Sequence, residues 1–150
     1  MLSEFKTVLC PTDFSDESYR AIDYGLRFAQ SADGTLLIAH IIHLPTGEMH
    51  ESAGDTVHVI TFDEARRRDF ARLEEIRTQR LGGYPKSELL VDVGEPYEQL
   101  MSIARQRQVD LIVTATHGRS GLRHLVLGSV AERIIRNAPC PVFVVRGGTG

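Results

Sequence analysis

Five short apolar runs, at 5–10, 34–44, 87–94, 110–116 and 141–146, are separated by four segments of helical character in this 150-residue chain. That alternation restricts the fold more than any other feature. A parallel neighbour can only be reached by a crossover long enough to hold a helix, so strand–helix alternation implies a parallel sheet with helices on its faces. The run GTLLIAHIIHL at 34–44 is apolar at successive positions, as a central strand covered on both sides requires. Right-handed crossovers then give a doubly wound, Rossmann-like α/β fold. The expected sheet has five parallel strands in the order 3-2-1-4-5, with helices on both faces. The length suits a single domain over 1–150, and no repeat or linker interrupts it.

Helix signals fill the gaps. Ser15 is an N-cap candidate with Asp16 and Glu17 in the first turn, and Ala21, Tyr24, Gly25, Phe28 and Ala29 make one face. From Phe62 to Leu81 the periodicity turns Phe70, Leu73, Ile76 and Leu81 inward and the ARRRD stretch, 65–69, outward. Pro96 begins a helix whose Leu100, Ile103 and Ala104 share a face. The last helix spans 128–138. Residues 45–60 carry turn formers without periodicity and read as a long loop.

In such sheets ligands lie beyond the carboxyl ends of the strands. Pro11-Thr12-Asp13, the 40–42 region and the 115–129 loop therefore share one edge. The loop runs Ala115-Thr116-His117-Gly118, then nine residues, then Gly128-Ser129. Ser129 with Glu132 three residues on has the spacing of a capping box. Glycines here remove the Cβ atoms that would hold backbone amides away from a phosphate at the helix N-terminus. Two readings fit these residues equally: a capped glycine turn, or a phosphate cradle.

The chain resembles the universal stress proteins over nearly its whole length, in CPTDFSDES (10–18), in residues 94–146, and in its order of elements. The ATP-binding branch of that family carries Gly-x-x-Gly, nine residues, Gly-Ser/Thr. Gly118, Gly128 and Ser129 match it, and Ala115 stands where the first glycine would be. A positive φ at Ala115 would cost about 1 kcal/mol relative to glycine, whereas a methyl pointing at the ribose would narrow the pocket. The resemblance implies ATP bound with Mg²⁺ at the open edge. Pro11, Thr12 and Asp13 would meet the ribose and adenine side, and the Ile41 backbone the adenine edge. Thr114 and Ala115 would line the ribose. Gly118, Gly128, Ser129 and Val130 would hold the phosphates through amides and the serine hydroxyl, with Arg119 beside them. It also implies a homodimer paired through the last strand.

The remaining residues narrow the choice. Seventeen Lys and Arg against twenty Asp and Glu give a net charge of −3, which offers no electrostatic footprint for nucleic acid. Arg66, Arg67, Arg68 and Arg72, interleaved with Asp69, Glu74 and Glu75, read as a solvated helix face. His43, His50 and His58, with Glu48, Glu51 and Asp55, match no zinc spacing, so no metal site is expected there. Arg119, Arg123 and His124 in the loop have two readings, screening of phosphate charge or plain solvation. Cys10 and Cys140 fall at opposite edges of a parallel sheet and are expected as free thiols. The start, MLSEFKTVLCPTDFSDES, shows no export signal, and no apolar stretch is long enough to span a membrane, so a cytoplasmic protein is expected. The saturated last strand PVFVVR would leave an exposed apolar edge unless a second copy covered it.

Three functions follow. The first is an ATP-binding stress-response regulator. The second is a nucleotide-free dimeric scaffold, and the third a slow ATP hydrolase. Absence of a Walker loop, a GxGxxG after the first strand, a Ser-Gly-Gly loop and a phospho-acceptor cluster weighs against an enzyme. Weak ATP hydrolysis through His117 and Asp13 is the most that the residues allow.

Overall fold

The computed structural model describes residues 5–43, 61–117 and 127–146. Its elements are β1 (Thr7–Pro11), α1 (Asp16–Ser31), β2 (Thr35–His43), α2 (Phe62–Arg80), β3 (Ser87–Gly94), α3 (Pro96–Gln106), β4 (Leu111–Ala115), α4 (Ser129–Asn137) and β5 (Val142–Val145). All strand pairs are parallel, and the sheet order is β3-β2-β1-β4-β5. The expected topology is therefore the observed one, with element ends shifted by a residue or two. Residues 45–60, expected as a loop, fall outside the described residues.

Strands alternate their side chains between two cores. Val8, Cys10, Leu36, Ile38 and Val113 face α1 and α2, while Leu9, Leu37, Ala39 and Ile112 face α3 and α4. This double burial explains the near-continuous apolar runs. Ser15 caps α1 as expected, accepting from the Ser18 N–H, and Glu95 caps α3. A full capping box, Thr61 with Glu64, opens α2.

Helix faces needed correction where periodicity alone assigned them. Phe70, expected inside α2, is 42% exposed. Asp69, expected outside, is only 2% exposed because a histidine on β2 receives it. Tyr24 is 38% exposed and Phe28 half-buried. Both stack with Phe143 of the edge strand, at ring separations of 5.7 and 5.1 Å. Helical spacing cannot reveal such partners, since they come from distant strands.

Candidate functional site

The carboxyl ends of β1, β2 and β4 and the start of α4 enclose a cavity of about 550 Å³, within the range of small-molecule sites. It lies where the winding reverses on either side of central β1. Pro11, Thr12, Asp13, Ile41, Thr114, Ala115, Gly128, Ser129 and Val130 all line it. Gly118 and Arg119 lie outside the described residues, as do Arg123 and His124.

On the β1 side the chain turns sharply. The Thr12 N–H donates to the Ala39 carbonyl at 2.9 Å, and Thr12 Oγ1 accepts the Phe14 N–H at 3.0 Å while bonding Ser18 Oγ at 2.8 Å. The buried Thr12 hydroxyl thus builds the turn. Asp13 Oδ1 accepts the Ser15 N–H at 3.0 Å, which fixes its carboxylate at the cavity wall. Phe14 takes a positive φ of 65°. For a bulky residue that costs about 1–3 kcal/mol. Burying its ring returns about 1.5–3 kcal/mol, and Arg72 stacked 3.8 Å from the ring centroid adds a cation–π attraction, so packing outweighs the strain.

Ile41 reaches the cavity because of where β1 stops. The last β1–β2 register pair is Pro11↔Ala39. Backbone groups alternate sides along a strand, so Ile41, two residues past Ala39, directs its N–H and C=O toward the space β1 has vacated. On β4, Thr114 and Ala115 are buried against the cavity. Ala115 pairs with Val145 in regular strand backbone and is not among the residues of positive φ. Its substitution for glycine therefore carries no backbone strain. What it adds is one methyl group in the wall.

The expected capping box at Ser129 is absent. Gly128 occupies the N-cap position, Ser129 is the first helical residue, and no side chain caps the helix. Glu132 instead pairs with Arg136 at 3.0 Å. The Gly128 N–H already donates to the Thr116 carbonyl at 2.8 Å, so Gly128 contributes a missing side chain more than a donor. The amides of Ser129, Val130 and Ala131 precede the first helical bond, Glu132 N–H to Gly128 C=O, and have no partner among the described residues. Arg133 fixes the helix from behind, reaching Glu95 at 3.3 Å and Glu98 at 3.2 Å across the Tyr97 ring. Those ion pairs are exposed and individually weak; their service is orientation.

Several cavity residues escaped the sequence reading as site members: Ser18, Ala39, His43, Pro96, Leu100 and Ala131; His40, Thr116 and His117 were placed at this edge without a binding role. Pro96 and Leu100 read only as helix start and core, and nothing local marks them as reaching the β1 edge. His117 Nδ1 lies 3.0 Å from Thr116 Oγ1, while its buried Nε2 has no hydrogen-bond partner among the described residues. Cys10, one residue before Pro11, is fully buried, and burial pushes its thiol far above the usual range; it packs rather than reacts. Both cysteines are free. Among the described residues no group of three or more His, Cys, Asp or Glu is placed to hold a metal, and no helix is long and apolar enough to cross a membrane. Of the histidine-rich candidates only His43 is described.

A five-stranded, doubly wound parallel sheet with its cavity at the switch point defines an α/β protein of the Rossmann-like class. The chain belongs to the Universal stress protein family, whose model matches residues 4–146. It is 33% identical over 144 residues to the Thermus aquaticus "Universal stress protein in QAH/OAS sulfhydrylase 3'region", covering 95% of this chain and 99% of that one. The fold is similar to the solved structure of MJ0577 from Methanocaldococcus jannaschii, with TM-score 0.78, 26% identity, and 98% and 99% of the two chains covered. It is also similar to a universal stress protein solved in complex with cAMP, with TM-score 0.70, 25% identity, and 95% and 98% covered.

Proposed function

We propose that this chain is a single-domain member of the ATP-binding branch, holding ATP as a regulatory ligand at the β1–β4 edge. The observation that carries the reading is the start of α4. Of the four described helices it is the one with no side-chain cap, and its free amides open into the cavity. Three orphan donors and a positive helix end suit a phosphate chain. Ile41, Pro96, Leu100 and Ala115 supply apolar walls for a base, and the outward Ile41 backbone supplies paired donor and acceptor for the adenine edge. The likeness to a protein that binds cAMP supports an adenine nucleotide.

Ser129 Oγ and the Asp13 carboxylate are the cavity oxygens suited to a divalent cation. They form no cage, so Mg²⁺ would arrive with the phosphates and keep most of its waters. The reading further takes the protein to be cytoplasmic, in keeping with two free thiols, and dimeric. At edge strand β5 the carbonyls of Pro141 and Val145 bond β4, leaving the Val142 and Val144 backbone pointing outward for a second copy.

Calorimetric titration with Mg·ATP, together with mass analysis of small molecules released on denaturation, tests the proposal. Micromolar binding or released ATP supports it. A folded protein with neither heat nor nucleotide favours the scaffold.

A further inference from the structure

Beneath the Asp13 turn lies a partly buried chain of polar contacts that the nucleotide reading does not use. His40 Nδ1 is 2.8 Å from the Thr12 carbonyl, and His40 Nε2 is 3.3 Å from Asp69 Oδ2. Asp69 Oδ1 in turn accepts from Arg68 Nε at 3.0 Å, with Arg72 at 3.9 Å. Phe14 is clamped between the two ends, its ring 4.4 Å from the His40 ring and 3.8 Å from the Arg72 guanidinium. The elements joined are α2, β2 and the turn that carries Asp13.

The chemistry of the acceptors fixes the proton count. A carbonyl only accepts, so Nδ1 carries a hydrogen. A carboxylate held by two arginines also only accepts, so the 3.3 Å approach of Nε2 is attractive when Nε2 carries a hydrogen as well. A neutral ring can satisfy either neighbour but not both, and the other would face a lone pair. Among the described residues, the groups meeting His40 are Asp69 with Arg68 and Arg72 from α2, and the Thr12 carbonyl and Phe14 ring from the turn. Its register partner on β3 is the neutral Val91.

We propose that Asp69 and His40 form a positioning relay in which a doubly protonated His40 ties the Thr12–Phe14 turn to α2 and so sets the Asp13 wall of the cavity. Its effect on nucleotide affinity rests on the function proposed above; its effect on the turn does not. Removing the second proton as pH rises breaks one of the two links and frees the turn. Asp69→Asn supplies the decisive contrast. The amide oxygen keeps Arg68, and the amide nitrogen donates to a bare Nε2, so a neutral His40 then fits at every pH.

The experiment follows ring nitrogens and the Asp13 and Phe14 amides by ¹⁵N NMR over a pH series, and measures Mg·ATP affinity in parallel. In the wild type the ring should start with both nitrogens protonated. The Phe14 amide should move as the second proton leaves, with ATP binding weakening about tenfold, the equivalent of about 1.4 kcal/mol. Asp69→Asn should show a singly protonated ring, a fixed Phe14 amide and affinity independent of this titration. His40→Ala should hold the turn loosely at all pH values. A ring that is singly protonated throughout in the wild type, or Asp13 and Phe14 amides indifferent to both substitutions, would overturn the relay. Wild-type protein that binds no ATP overturns the nucleotide reading instead, and the amide signals then decide the relay by themselves.

Discussion

Gly25 lies in the middle of α1, where glycine is ordinarily a liability, and replacing it with alanine tests how tightly that helix is pressed onto β1. A Cβ built there would run into Cys10 Sγ and stand 3.4 Å from Leu36 Cδ1 and 3.7 Å from Val8 Cγ1. The sulfur contact is far inside van der Waals distance. Cys10 is completely buried, so its thiol has little room to rotate. Overpacking of this kind costs up to about 3 kcal/mol, and the helix preference for alanine over glycine returns about 1 kcal/mol. Gly25→Ala should therefore lose about 2 kcal/mol, a drop of roughly 4–8 °C in Tm for a chain of this size. Cys10→Ala alone should cost about 1 kcal/mol for the missing sulfur. Combined, the added methyl occupies the space the sulfur left, and the pair should return close to wild type. Urea midpoints at unchanged m, read by circular dichroism, supply the double-mutant cycle. Because Cys10 directly precedes Pro11-Thr12-Asp13, the single variant should also disturb the cavity wall, and the double should restore it. If Gly25→Ala stabilises the protein and the two effects simply add, the tight α1–β1 contact is wrong.

Gly128→Val should abolish Mg·ATP binding in calorimetry while leaving the circular dichroism spectrum intact, because a branched side chain would stand at the mouth of the α4 amides; unchanged affinity refutes the cradle. Val144→Pro should convert dimers to monomers in sedimentation, since the Val144 N–H faces the open edge rather than β4; dimers that persist exclude β5 pairing. Burial raises both thiols, Cys10 far more than the half-buried Cys140. A thiol reagent should thus label native protein at Cys140 alone and reach Cys10 only on unfolding, which peptide mass mapping will show.

The order of strands and helices was legible because it depends on local pattern. Doubly buried strands must be apolar at every position, and parallel neighbours must be separated by a crossover, so 34–44 declared itself central without any knowledge of its neighbours. The edge carrying the cavity followed from topology, and nine of the eleven residues named for the candidate site line it. The family motif supplied the spacing from Gly118 to Ser129. Composition could not have done so.

What the tertiary structure decided are relations between residues far apart in the chain. Helical periodicity placed Asp69 in solvent; His40, twenty-nine residues earlier, brings it inside. The Ser-x-x-Glu spacing at Ser129 indicated a capping box. The chain enters α4 one residue earlier, at Gly128, and Arg136 takes the glutamate, so the helix end stays open toward the cavity. Ala115 looked costly as a substitute for glycine, yet its strand backbone needs no positive φ. Local sequence sets which segments are strand or helix, because propensity and burial pattern act over a few residues. Which polar groups are satisfied, and which are left facing a ligand, depends on partners that only folding brings within hydrogen-bond reach.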